Sequence, residues 1–315
     1  GKYTIYVNNS IVADHKGCQR IIETFERETG ARLGSVDRSG MFGLFETPCI
    51  GLSDQEPSAL INFYPFTQLN AMKVKDIVGR LKAGVDVADI CDQPQDNIRF
   101  TPAENKTLFF RHLEAGASIT KAQALSPNGV IDALKISELA GRGGAYFPTW
   151  KKWQAAKEQG ASPKFVVCNA DEGEPGTFKD RVLMNACPHS LIEGMIICAY
   201  TIGASMGFIY LRGEYRWLLP RLEATLTDYR KMGLLGKNCN RIEGFDFDIR
   251  IQMGAGSYVC GEETALLESL EGKRGEPRTK WFFPVEKGYL QLPTVVNNVE
   301  TFCAVAQILD IGTDA

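Results

Sequence analysis

The stretch Gly141-Arg142-Gly143-Gly144-Ala145-Tyr146-Phe147-Pro148, followed by Lys152, is the one around which the chain is read. Three glycines in four positions permit a tight turn with positive φ and aim several backbone N–H groups at one point. Such a concavity suits a phosphate or pyrophosphate. A helix is predicted to enter the turn, with Ser126-Pro127 as its N-cap and first position and an apolar pattern running to Leu139. A second is predicted to leave it, from about Pro148 to Gly160, its N-terminus adding partial positive charge. A glycine cluster alone is equally a plain interhelical turn, so the weight falls on the segments around it.

Downstream, Lys164-Phe165-Val166-Val167-Cys168 reads as a short buried strand that runs into Asn169-Ala170-Asp171-Glu172-Gly173-Glu174-Pro175-Gly176. A helix is predicted near 188–202, a strand over Gly207–Arg212, an amphipathic helix over about 214–231 and a strand over Phe245–Met253. That strand runs into Gly254-Ala255-Gly256-Ser257-Tyr258-Val259-Cys260-Gly261-Glu262-Glu263, and a helix follows through Leu266, Leu267 and Leu270. Strands alternating with helices imply an open α/β sheet covered on both faces. Ligands of such sheets gather at the carboxyl ends of strands. The first loop carries Asn169, Asp171, Glu172 and Glu174; the second carries Tyr258, Gly261, Glu262 and Glu263. Gly254-x-Gly256 is not a full G-x-G-x-x-G, so the strict dinucleotide fingerprint fails. The carboxylates suit a metal, or equally ribose hydroxyls, a carboxamide or the edge of a flavin ring. The glycines favour the second option, although Glu262 and Glu263 also suit a plain helix N-terminus.

Upstream, residues 1–96 read as a small α/β unit. A strand at 2–7 precedes a helix around 17–29 with Gly30 as its C-cap; strand-like pieces follow at 41–46 and 59–66, then a helix at 73–83. This β-α-β-β-α order fits a thioredoxin-like domain. Cys49, beside a turn and without a basic neighbour, reads as a packed thiol. Residues 97–125 are polar and weakly periodic, and are expected to form a surface linker anchored by Leu108-Phe109-Phe110. Residues 126–315 form the second expected domain.

Composition narrows the function. Lys+Arg 35 against Asp+Glu 38 leaves no basic surplus, which argues against a nucleic-acid binder. No apolar run reaches the ~20 residues of a membrane span. The nine cysteines show no C-x-x-C or C-x-x-x-x-C, the spacing usual for an iron–sulfur or zinc site, and point to a reducing cytoplasm. His15, His112 and His189 form no metal or triad motif.

Four ordered motifs together resemble one family. They are Gly141–Ala145, Cys168–Arg181, Tyr258–Leu266 and Val296-Asn297-Asn298-Val299-Glu300-Thr301. The family is the FMN- and NADH-binding flavoprotein subunit of respiratory complex I and its relatives. Met41–Phe45 and Cys49–Pro57 further resemble the branch found in NAD-reducing [NiFe] hydrogenase, whose flavoprotein subunit sets a thioredoxin-like domain ahead of a Rossmann-like flavin domain. The resemblance implies that Gly141, Gly143 and Lys152 hold FMN. It implies Asn169 and Asp171 at the flavin's polar edge with Tyr258, Gly261 and Glu262 beside it, and Val296, Asn297, Asn298 and Thr301 toward the phosphate. It implies Gly144, Ala145, Phe147, Glu172, Glu174, Glu263 and Phe283 where NAD(H) docks.

The implied reaction is direct hydride transfer between NAD(H) and FMN, with no acid or base residue. Electrons would then pass through iron–sulfur clusters to partner hydrogenase subunits. A subunit of formate dehydrogenase or of complex I is the alternative within the class, and a flavin-less docking subunit the alternative outside it. Two departures bear on this. Tyr146 and Trp150 stand where the family has glycine; four residues apart, they are expected to wall the nucleotide entrance together. In the N-terminal domain only Cys18 and Cys49 remain of a [2Fe–2S] ligand set, with Ser53 at a cysteine's place. Family members continue into a ubiquitin-like domain and a [4Fe–4S]-binding helical bundle, so the resemblance implies a fragment, with that cluster expected only in the full-length protein.

Overall fold

The structure, a computed structural model, describes residues 1–94, 109–279 and 281–313. The expected domain boundary at 96/97, the first part of the expected linker and Leu108 lie outside the described residues. The chain divides into two compact units. The first holds the described residues up to 94 together with 172–178 and 213–217, and the second holds the rest.

The first unit contains β1 (Tyr3–Asn8), α1 (Ile11–His15), α2 (Cys18–Thr29), β2 (Ser35–Val36), β3 (Phe42–Thr47), β4 (Ala59–Ile61), β5 (Tyr64–Phe66), α3 (Ala71–Lys82) and α4 (Val87–Ile90). Among the described residues its sheet has the order β2-β3-β1-β4-β5. β1 runs parallel to β3 and antiparallel to β4, the thioredoxin-like arrangement. Alternation along β1 sends Tyr3, Ile5 and Val7 into a core shared with Phe42, Leu44, Ile61 and Phe66, and with Ile22 and Phe25 of α2 and Val74, Ile77 and Leu81 of α3. Gly30 ends α2 in the left-handed conformation, as expected. The piece expected as one strand at 59–66 is instead the hairpin β4–β5. Asn62 and Phe63 turn it with φ 49° and 67°. Without a glycine that turn gives no sequence signal.

The second unit contains α5 (Ala117–Ile136), α6 (Thr149–Glu158), β6 (Phe165–Ala170), α7 (Lys179–Ala186), α8 (Pro188–Ile202), β7 (Met206–Leu211), α9 (Leu219–Lys231), β8 (Asp248–Met253), α10 (Glu263–Leu270), α11 (Pro284–Lys287), β9 (Thr294–Asn298) and α12 (Val299–Ile311). Its sheet has the order β8-β7-β6-β9, all parallel. β6 is buried almost throughout, as a central strand covered on both faces must be. On one face Val167, Tyr210 and Val296 pack with Leu266, Leu267 and Leu270 of α10. On the other, the apolar helix α8 packs against α12 and α5.

The expected linker differs from the structure, because α5 already begins at Ala117 and buries Ser118, Ile119 and Ala122. The helix breaks at Ser126 (φ 66°) and restarts at Pro127, so the predicted start is real but is a second start. Proline excludes its predecessor from the helical region, which accounts for the break. β9 and α12 add to the elements expected from sequence, and the motif Val296–Thr301 spans their junction.

Candidate functional site

Among the described residues the four parallel strands present their carboxyl ends to one side of the sheet, and there a cleft of about 300 Å³ opens. Three segments build its wall. The glycine turn is the first. It is closed by the Gly141 N–H to Phe147 carbonyl bond (2.8 Å) and by Thr149 N–H to the Leu139 carbonyl (2.9 Å). Gly141, Gly143, Ala145, Tyr146 and Phe147 line the cleft. A Cβ on Gly141 would lie 3.3 Å from the Phe147 carbonyl, tight against the turn's own backbone, and one on Gly143 would lie 3.4 Å from Asn298 Cβ, an ordinary contact. The turn docks onto α12 through Arg142 N–H, which donates to Thr301 Oγ1 at 3.0 Å.

The β6 and α10 segments form the second wall. Asn169 Nδ2 donates to the Gly261 carbonyl (2.8 Å), and Asn169 Oδ1 accepts from Asp171 N–H (3.1 Å). Glu262 is the N-cap of α10, accepting from Thr264 N–H (3.0 Å) and Ala265 N–H (2.9 Å). The plain helix-start reading of Glu262 therefore describes its side chain, while the residue still borders the cleft. Glu263 pairs with Lys152 Nζ at 3.3 Å, and the same ammonium donates to the Val296 carbonyl at 2.9 Å.

The third wall is the β9–α12 junction, with Val296, Asn297, Asn298 and Thr301. Asn297 Oδ1 accepts from the buried indole of Trp153 at 3.3 Å. Asn298 caps α12 through Glu300 N–H (2.9 Å), donates to Asp180 Oδ2 (2.6 Å) and accepts from Lys179 Nζ (3.3 Å). Lys179 also pairs with Asp180 (2.7 Å) and Glu300 (3.1 Å). Burial pushes the Asp180 carboxyl up, against the pull of Lys179 and Asn298. Burial works against the Lys179 ammonium, but Asp180 and Glu300 outweigh it and hold its pKa above the ordinary value.

Six predicted residues are not in the lining. Gly144 sits in the turn at φ 109° without bordering the cleft. Asp171 is buried. Glu172 and Glu174 belong to the first unit, where Glu172 is buried and accepts from Tyr215 Oη at 2.8 Å. Tyr258 and Phe283 expose about two thirds of their surface (65% and 67%). Thr149 lines the cleft and was missed; nothing in the sequence distinguishes its hydroxyl from that of an ordinary first-turn threonine.

The expected pairing of Tyr146 with Trp150 does not form a wall. α6 starts only at Thr149, and Tyr146 has φ 53°, so one-turn helical spacing does not relate the two. Tyr146 borders the cleft; Trp150 lies under the ammonium groups of Lys135 and Lys151, 5.3 and 5.5 Å from its ring centre.

Comparisons with known proteins agree with this architecture. The family model of the Nuo51 FMN-binding domain matches residues 134–307, and that of the thioredoxin-like [2Fe-2S] ferredoxin matches residues 1–82. The chain is 50% identical to the NAD-reducing hydrogenase HoxS subunit alpha of Cupriavidus necator, over 100% of this chain and 54% of that protein. It is 52% identical to an NADH-quinone oxidoreductase subunit of Aquifex aeolicus, over 62% of this chain and 45% of that one. The crystal structure of an NAD+-reducing [NiFe]-hydrogenase in the H2-reduced state superposes with a TM-score of 0.89 at 38% identity, over 99% of this chain and 53% of that one. The chain thus spans about half the length of the relatives it matches.

These matches imply two groups. A [2Fe–2S] cluster does not fit the residues present. Cys18 lies in the apolar core of the first unit, where burial, with Asp14, Glu46 and Glu56, pushes its thiol up to about 11. Cys49 is buried, accepts Gly51 N–H at 3.4 Å and meets the Ser53 hydroxyl at 3.4 Å. Among the described residues no group of three or more metal-ligating side chains occurs. FMN does fit. The cleft has the volume of a small-molecule site, a glycine cradle on one wall, and carbonyl, amide and ammonium groups converging from the others.

Proposed function

The chain belongs to the family of the Nuo51 FMN-binding domain, and from that membership we propose that it is the module in which a hydride passes between NAD(H) and FMN. The further proposal is that it serves an NAD-reducing hydrogenase complex in the cytoplasm, passing electrons to or from an iron–sulfur subunit and the hydrogenase subunits. The observation that carries the first reading is the cleft itself, where the glycine turn, the Asn297-Asn298 strand end and the Glu262-Glu263 helix start meet. The identity to the HoxS alpha subunit along the whole chain favours the hydrogenase over a formate dehydrogenase or complex I. Among the described residues no single helix is long and apolar enough to cross a membrane.

Bound FMN would supply the hydride-accepting redox chemistry that no side chain provides. The protein's part is to bind, orient and exclude water. The N–H groups of Gly141, Arg142 and Glu300 are already bonded within the protein, and those of the turn beyond Arg142 suit the phosphate. Asn169, held by Gly261, and the Lys152–Glu263 pair present fixed polar atoms on the opposite wall. The glycines let the backbone approach the ligand closely.

The deciding experiment titrates FMN into the purified chain and follows quenching of flavin fluorescence, then measures NADH oxidation with an artificial acceptor. Saturable uptake with NADH-dependent turnover supports the reading. A chain that takes up no FMN under any folding condition leaves the docking-subunit reading in its place. Glu263→Gln is expected to weaken NAD(H) binding by roughly 1–3 kcal/mol, the scale of a charged hydrogen bond, with FMN content nearly unchanged. Loss of flavin with unchanged nucleotide affinity would reverse the assignment.

The two rings that replace family glycines separate in a second test. Tyr146→Gly is expected to change the apparent NADH affinity more than the FMN affinity, because Tyr146 borders the cleft. Trp150→Gly is expected to leave both constants in place and to lower stability by about 1 kcal/mol, the helix cost of glycine. Equal effects of the two substitutions on NADH would contradict the separation.

A further inference from the structure

Among the described residues, the hydroxyl of Thr149 is the one buried, unpartnered side-chain polar atom that belongs to a residue lining the cleft. Thr149 is 1% exposed. Four buried threonines elsewhere in the chain's helices spend their hydroxyls locally, and buried Thr301 of α12 accepts from Arg142 N–H. Thr24 donates to the Arg20 carbonyl (2.7 Å), Thr29 to Phe25 (2.6 Å), Thr201 to Ile197 (2.7 Å) and Thr225 to Arg221 (2.9 Å). Each of these reaches the carbonyl one helical turn back. Thr149 is the first residue of α6, so no helical turn precedes it. Pro148, the N-cap, has no side-chain capping bond, and the Thr149 hydroxyl takes no part in capping either. A buried hydroxyl left without a partner is costly, and native structures rarely keep one except where a ligand or water completes it.

From this we propose that Thr149 is a flavin-binding residue, its hydroxyl forming a hydrogen bond to FMN when the cleft is filled. The inference rests on the FMN reading of the cleft and adds to it a contact that the glycine turn and the strand-end asparagines do not supply. The position explains the choice of residue. A β-branched side chain has a restricted χ1, which limits the directions open to its hydroxyl. Thr149 N–H is fixed by the Leu139 carbonyl at 2.9 Å, which ties the backbone of this residue to the base of the turn.

The contact has a signature that a structural role lacks: the empty protein and the loaded protein respond to its removal in opposite directions. Thr149→Val keeps the shape and removes the hydroxyl. In the FMN-free chain it deletes an unsatisfied buried group, so the melting temperature is expected to hold or rise by a few degrees. In the FMN titration the same variant is expected to raise the dissociation constant about tenfold, the scale of one lost hydrogen bond. Thr149→Ser retains the hydroxyl and is expected to bind FMN within about threefold of wild type.

FMN uptake by the wild-type chain is measured first, by quenching of flavin fluorescence, with circular-dichroism melts of every variant without flavin. Weaker FMN binding by Thr149→Val, undiminished stability of its flavin-free form and near-normal binding by Thr149→Ser support the assignment. Wild-type FMN affinity in Thr149→Val overturns it and leaves the FMN reading of the cleft standing. A fall in flavin-free stability that parallels the affinity loss also overturns it, as the mark of a packing role. A wild-type chain that binds no FMN overturns the cleft reading itself, and this inference with it.

Discussion

Gly194→Ala is expected to destabilise the protein by about 3 kcal/mol or more and to abolish tight FMN binding, although alanine is the better helix former. Gly194 lies in α8 where the backbone of α12 crosses it. A Cβ built there would stand 2.0 Å from the Phe302 carbonyl oxygen, 2.6 Å from its carbon and 2.9 Å from its Cα. All three atoms are backbone, so no rotamer change relieves the overlap and α12 has to move. The favourable propensity term is about 1 kcal/mol, too small to offset it. The displacement is carried to the cleft, because α12 begins at the Asn298 cap and bears Thr301, which accepts Arg142 N–H of the glycine turn. Denaturant midpoints and FMN titrations on Gly194→Ala check both parts. Wild-type values for both would show that the two helices do not approach so closely.

The second large effect is expected one residue earlier. Glu193 is fully buried in α8, and its carboxylate accepts hydrogen bonds from two other helices and their flanks. The donors are Gly116 N–H (2.6 Å), Ser118 N–H (3.2 Å), the Ser118 hydroxyl and Tyr229 Oη (2.8 Å). Gly116 is the N-cap of α5 and has no side chain to cap it, so Glu193 performs that capping from another helix. Glu193→Ala leaves those donors without an acceptor and opens a cavity, at an expected cost of about 3–5 kcal/mol.

The pH dependence of this contribution has a definite sign. Burial raises the Glu193 pKa above its ordinary value, opposed by the bonds from Ser118, Gly116 and Tyr229. The folded state therefore holds the proton more tightly than the unfolded chain, whose glutamates titrate near about 4.3. The contribution is complete below that value and is lost as pH rises through the raised folded pKa. The stability difference between wild type and Glu193→Gln should accordingly shrink as pH is raised from about 4 through that range. A difference that grows with pH would show that Glu193 is ionised in the fold without cost.

Several parts of this molecule were legible from residue order because local chemistry dictates them. The αL cap at Gly30, the strand over Phe165–Ala170, the helix over Pro188–Ile202 and the turn at Gly141–Pro148 each follow from glycine, proline or hydrophobic spacing within a few residues. The cleft motifs were equally readable: strand ends followed by polar or glycine-rich loops, repeated in one open sheet, mark the side on which a ligand binds.

Other parts depend on partners far away in the chain. Nothing near Gly194 announces that the backbone of Phe302 crosses it, and an acid inside Leu-Ile-Glu-Gly-Met gives no sign of capping a helix that starts at Ala117. The first-unit membership of Glu172 and Glu174 likewise depends on contacts with distant segments. Tyr146 and Trp150 looked like one wall because the spacing rule presumes a helix, and the left-handed φ of Tyr146 removes that premise. The sequence by itself thus determined the two fold types, the glycine cradle and the chemistry of the cleft walls, all set by short-range sterics and hydrophobic periodicity. Only the tertiary structure decided which polar groups are already spent on caps and ion pairs and which, like the Thr149 hydroxyl, are left for a ligand, because hydrogen-bond satisfaction in a buried site is a property of whichever groups folding brings within about 3 Å.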